Sequence, residues 1–253
     1  MISEIRRKLK EGQATIGSWM QIPSASIAEI MGKAGYDWVA VDLEHGHFSA
    51  QYLPDVFRAL ELGGTAPFVR VAKCESMHIK SALDAGAVGI ILPMVQEATQ
   101  LQQAIEWAFY PPKGMRGVGY SRANLFGKDF EAYLAESLQE TFIVAQIEHI
   151  CAVEELGEIL NVDGLDAILV GPYDLAGSMG LTAHFQDHRF VEVMDIIYQE
   201  AHKHRTPMGL HVVKPVVSEL NVAISKGYQF IAYGLDAVFL YESAERPELR
   251  VKN

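Results

Sequence analysis

Four short stretches of this 253-residue chain place chemically able side chains directly after an apolar run. WVAV gives way to Asp42-Leu43-Glu44-His45-Gly46-His47, Arg70 closes APFVR, FIVA leads into Gln146-Ile147-Glu148-His149, and AILV runs into Gly171-Pro172-Tyr173-Asp174. Glu148 and Asp174 offer two hard oxygen ligands. With waters and a chelating substrate, such a pair suits Mg2+ or a similar divalent ion, which binds octahedrally and keeps waters. Two solvated loop acids would read the same way. Arg70 can grip a carboxylate with two parallel N–H groups, or it can pair with a structural acid or snorkel from a rim. An imidazole at His45 is placed to shuttle a proton near neutral pH, with His47 as competitor and a solvated loop histidine as the plain alternative. Alternation turns His149 away from Glu148, so a structural role is expected there.

Other chemistries lack their residues. No GxSxG elbow supports a hydrolase nucleophile, and no GxxxxGK[ST] loop cradles a phosphate. No Cys/His cluster has structural-zinc spacing. A Schiff-base lysine belongs on a strand end, whereas Lys73, Lys80, Lys113 and Lys214 fall on helices or in loops, Lys214 coming nearest.

The elements that must position these groups follow one rhythm. Strands are expected at 15–21, 37–44, 66–71, 88–94, 142–148, 166–171, 207–213 and 228–234, most of them apolar nearly throughout, as strands buried on both faces are. Helical patterns over Ser24–Ala34, Gln51–Leu62, Ser76–Ala85 and Val216–Lys226 each run into glycine, which tolerates the left-handed turn that ends a helix. Eight strands alternating with helices predict a (β/α)8 barrel forming a single domain over 1–253, and the polar stretches then share the carboxyl ends of the strands. An open doubly wound sheet is the runner-up, but no GxGxxG follows the first strand. The long irregular stretch at 110–127 is expected to cover a site or make an interface.

Composition narrows the partners. A chain 49% hydrophobic and 21% charged is not disordered, and a net charge of −11 disfavours nucleic acid or an anionic membrane. An anionic substrate stays possible, because a few arginines or a metal ion reverse the sign inside a pocket. Cys74 and Cys151 form no framework, the start has no apolar leader, and no apolar run reaches the roughly 18 residues of a membrane span, so a cytoplasmic location is expected.

WVAVDLEHGHFS (38–49), PFVRV (67–71), YPPKGMRGVGYSRANLFG (110–127), VAQIEH (144–149) and VDGLDAILVGPYDLAGSMG (162–180) together resemble the metal-dependent class II pyruvate aldolases. That family includes 4-hydroxy-2-oxoheptanedioate aldolase and 2-dehydro-3-deoxyglucarate aldolase. The likeness keeps its spacing from about Gly17 to about Tyr233. It implies a (β/α)8 barrel whose last helix is exchanged between subunits of a hexamer, a trimer of dimers. It implies Glu148 and Asp174 as ligands of Mg2+, Mn2+ or Co2+, with Gln146 beside the metal and Trp19 near the methyl of pyruvate. Arg70 would hold the pyruvate carboxylate and stabilise the enolate. His45 would be the base or its relay, oriented by Asp84, and the backbone from Gly171 through Pro172 to Tyr173 would help hold the carboxylate. The activity implied is reversible cleavage of a 4-hydroxy-2-oxo acid to pyruvate and an aldehyde. Related enolate chemistry such as oxaloacetate decarboxylation, or a barrel that only binds a keto acid, are the other readings.

Two residues depart from the family pattern. Tyr173 stands where a small residue is usual, and His211 where an aliphatic one is. Alternation along Gly209-Leu210-His211-Val212 points His211 into the barrel mouth, to hydrogen-bond a hydroxyl or carboxylate on the aldehyde or else to pack against Tyr173.

Overall fold

The structure is a computed structural model that describes residues 1–244. Eight parallel strands close a barrel in sequence order: β1 Thr15–Met20, β2 Trp38–Asp42, β3 Ala66–Arg70, β4 Gly89–Leu92, β5 Phe142–Ile147, β6 Ala167–Val170, β7 Met208–Val212 and β8 Phe230–Leu235. Each lies within two residues of the stretch its apolar pattern predicts, since burial on both faces leaves little room for a polar residue inside a strand. The helices stop where expected: Gly35, Gly64, Gly86 and Gly227 all adopt positive φ. Ser24 caps the helix Ala25–Lys33 by accepting the Ile27 N–H.

The barrel interior is packed. Trp38 stacks on Phe230 with ring centroids 4.1 Å apart, and Phe68 and Phe142 complete an aromatic layer. Gly17 makes room for it, because a Cβ there would meet the Trp38 ring at 2.1 Å. Below this layer sits an element the sequence reading leaves unassigned, the helix Ile2–Lys10. Its Ile2, Ile5 and Leu9 join the aromatic cluster, while Arg6 forks onto Asp166 at 2.7 and 3.0 Å. The amino-terminal end of the barrel is thereby filled with apolar side chains, and polar groups are left to the carboxyl end.

The stretch at 110–127 lines no part of the cavity described below. Asn124 is buried and pins it, accepting from the Ser121 and Gly127 N–H groups and donating to the Gly119 carbonyl. Arg122 ties it to the Ala85 carbonyl and to Glu61, on the outer layer of helices. The expectation that it covers the site does not hold within one chain.

Candidate active site

At the carboxyl ends of the strands lies a cavity of about 340 Å³. β1 supplies Trp19 and, just beyond its end, Gln21; β2 and β3 supply Asp42, His45 and Arg70; β5 gives Gln146; Gly171 to Asp174 follow β6, and His211 comes from β7. The sequence-predicted groups therefore converge, with two exceptions: Asp84 lies elsewhere, and Glu148 stands behind the lining, against the Gln146 amide.

Asp42 is the organising residue, and the sequence reading passed over it as part of a strand end. It is in register with Arg70 on the neighbouring strand. Arg70 Nε donates to Asp42 Oδ1 at 3.0 Å and Nη2 to Oδ2 at 2.8 Å. Gln21 Nε2 adds a third donor at 2.9 Å, and the backbone N–H groups of Glu44 and His45 add two more at 3.1 Å each. Burial pushes the Asp42 carboxyl up, but these donors and the Arg70 charge overcome it and hold it below the usual carboxylate range. The signal for it was present: an acid closing an all-apolar strand beside an arginine closing the next.

The fork of Arg70 is consequently spent on Asp42. Its Nη1 sits 3.0 Å from Glu44 Oε2, and its guanidinium lies 4.8 Å above the Trp19 ring. Asp42 takes two of its five N–H groups, so a substrate carboxylate meets those on Nη1 and the one left on Nη2.

Glu148 is buried. It accepts the Met94 N–H at 2.7 Å and the Gln146 amide N–H at 2.5 Å. Burial, opposed by the Met94 N–H and reinforced by the charges of Glu44 and Asp174, pushes its pKa up to about 7. Burial likewise raises Glu44, against the pull of Arg70 and His45, with Asp42 and Asp174 adding to the rise. Gly171 lets the chain pass close to this group: a Cβ there would come within 2.7 Å of Glu148 Oε2.

This corner fits a hard cation. Gln146 Oε1 is buried without a hydrogen-bond partner beside Glu148, and the Asp174 carboxylate is near enough to raise Glu148 by charge repulsion. Among the described residues no three His, Cys, Asp or Glu side chains are already gathered around a metal position. The donor set is thus two carboxylates and an amide oxygen, the kind that leaves coordination positions to water and substrate.

Three expectations need correction. Asp84 does not orient His45 within the chain, because its carboxylate accepts from Arg116 Nη2 at 2.7 Å; Arg116 is itself buried between Tyr110 and Tyr133. Of the three backbone groups from Gly171 to Tyr173, Gly171 N–H already donates to the Ile147 carbonyl and Pro172 has none, which leaves Tyr173. His211 does not pack on Tyr173. Its ring sits 5.6 Å from that of Trp19, whereas Tyr173 makes an edge contact with Phe185 at 4.9 Å.

Other expectations agree with the geometry. Leu210 and Val212 turn outward and His211 lines the cavity. His149 accepts the Cys151 N–H and caps the helix Ile150–Glu154, a structural role. Lys214 does not line the cavity.

The comparisons with known proteins agree with one another. The hydroxypyruvate/pyruvate aldolase of Roseobacter denitrificans is 38% identical over 181 residues, covering 71% of this chain and 70% of the relative. The 2-keto-3-deoxy-L-rhamnonate aldolase of Klebsiella pneumoniae is 33% identical over 246 residues, covering 95% and 90%. The crystal structure of a family member from Burkholderia cenocepacia superposes with a TM-score of 0.89 at 27% identity, covering 95% of each chain. Residues 15–242 match the HpcH/HpaI aldolase/citrate lyase pattern, and the chain belongs to that family.

Proposed function

We propose that this protein cleaves a 4-hydroxy-2-oxo acid reversibly into pyruvate and an aldehyde, acting as a carbon–carbon lyase. The observation that carries the reading is the buried Arg70, fixed by Asp42 at the wall of a cavity that also receives Gln146, Asp174 and His45. Glu148, Asp174 and the Gln146 oxygen would hold a divalent ion, Mg2+, Mn2+ or Co2+, which when bound chelates the keto acid and stabilises negative charge as it develops.

The chain's own residues account for the rest. Arg70 neutralises the pyruvate carboxylate and faces the enolate with a charge that has no proton to lose. Because Asp42 holds the guanidinium beforehand, little reorganisation is needed as charge builds. Trp19 gives the methyl group an apolar wall. His45 stands at the edge of the cavity with its backbone tethered to Asp42. From there the imidazole takes the proton from the C4 hydroxyl during cleavage and returns it during synthesis. Tyr173 N–H is the backbone donor left for the carboxylate. Assembly as a hexamer with an exchanged last helix, a single domain over 1–253 and a cytoplasmic location belong to the same proposal; their support is the family resemblance.

Pyruvate release across a panel of 4-hydroxy-2-oxo acids tests the reading. Chelation is expected to abolish it and added Mn2+ to restore it, while Glu148→Gln weakens Mn2+ binding measured by calorimetry. Full activity in metal-free protein, or borohydride trapping of pyruvate on Lys214, would sink this mechanism.

A further inference from the structure

One group on the aldehyde side of the cavity is oriented for a specific task. His211 Nε2 lies 3.0 Å from the Gly234 carbonyl oxygen. A carbonyl oxygen only accepts, so Nε2 carries the hydrogen, and on a neutral ring Nδ1 is then a bare acceptor. The ring is neutral. Burial, opposed by the Gly234 carbonyl and reinforced by the Arg70 charge, lowers its pKa to about 4. Nδ1 has no hydrogen-bond partner among the described residues, and it is not one of the polar atoms sealed from solvent. The ring lines the cavity beside Trp19, with Leu169, Val170, Tyr173, Val213 and Leu235 also in the lining.

We propose that His211 selects the aldehyde by accepting a hydrogen bond from its hydroxyl, so that short hydroxyaldehydes are preferred over alkyl aldehydes and aldehyde carboxylates. A lone pair gains nothing from a methyl group and repels a carboxylate. Lys214 lies in the adjoining groove rather than in this cavity, and Arg70, the cation that lines it, is held by Asp42. The assignment deepens the aldolase reading and rests on it.

The test compares glycolaldehyde, propionaldehyde and glyoxylate as acceptors for pyruvate, by kcat/KM. The wild type is expected to favour glycolaldehyde over propionaldehyde by about tenfold or more, the order one hydrogen bond supplies, and to use glyoxylate least. His211→Leu is expected to bring the first ratio to about one. His211→Gln, with an N–H for Gly234 and a carbonyl oxygen to accept, is expected to keep it above about threefold. An unchanged ratio in His211→Leu, or glyoxylate ranked first, overturns the assignment. Imidazole 15N shifts in the wild type give an answer without any variant: an Nδ1-protonated or charged ring at pH 7 overturns it too. Deuterium uptake into the methyl of pyruvate needs no aldehyde and separates the two levels. Wild type that exchanges but ranks the aldehydes equally removes the role of His211 alone; wild type that exchanges nothing removes the aldolase reading with it.

Discussion

The wall of the cavity built by β2 and β3 differs in kind from the wall built by β6 and β7. On the first, Asp42 accepts five hydrogen bonds and fixes Arg70, which in turn lies on Trp19 and beside Glu44. On the second, Tyr173 is 59% exposed and His211 makes one hydrogen bond. The first wall carries an ion pair held in place before any ligand arrives; the second, beyond Asp174 at its foot, offers apolar surface and a neutral ring. A part of the substrate common to every reaction can be met by the rigid wall, and a variable part by the lightly tethered one. Preorganisation is costly to build, because a buried ion pair must recover its desolvation through good geometry, so it is confined to the half where charge develops.

This contrast can be broken in order of effect. Arg70→Ala is expected to lower both aldol cleavage and oxaloacetate decarboxylation by about 30-fold to several thousandfold, since losing a buried charged contact costs roughly 2–5 kcal/mol. Steady-state kinetics with circular dichroism to confirm the fold would measure it. Rates within about tenfold of wild type in both reactions would mean the charged wall is not where the chemistry happens.

His45→Ala sharpens the comparison within that wall. Cleavage needs a proton removed from a hydroxyl and decarboxylation does not, so cleavage should fall by about a hundredfold and decarboxylation by far less. Equal losses would give His45 a shaping role instead.

The smallest effect concerns the neutral wall and acid stability. Unfolded His211 takes up a proton near pH 6.5, while the folded one does so near 4. Between those values the unfolded state binds more protons, so stability falls as pH falls through that window. Denaturant titrations from pH 7 to pH 4 should therefore show a shallower acid decline in His211→Gln than in wild type. Parallel declines would mean that the folded ring protonates as readily as a free one.

Much of this was legible beforehand, and the gaps have physical reasons. The strands announced themselves because a parallel strand covered on both faces cannot hide its composition. The helix Ile2–Lys10 did not, since three apolar residues among nine, mostly charged, carry a helical pattern only when the barrel floor they fill is known. Arg70, Gln146 and Asp174 were placed correctly at the cavity by strand ends alone. Asp42 was missed because a residue that acts on substrate only through its neighbour looks like the last residue of a strand. The pairing of Asp84 was hidden for the converse reason: within the chain its partner is Arg116, from the distant irregular stretch at 110–127, and no local pattern links the two.

Gly171 sets the limits within which this mouth could be redesigned. A side chain there would collide with Glu148 Oε2 and Cβ, at 2.7 and 2.8 Å, and neither can retreat without disturbing the buried carboxylate. Two residues on, Tyr173 is largely exposed with only its edge contact to Phe185, and Val213 on the neighbouring strand end is also exposed. A mutational library aimed at new aldehydes therefore has its freedom at 173, 211 and 213 and none at 171, and substitutions fixed in the chain over time should be rationed in the same way.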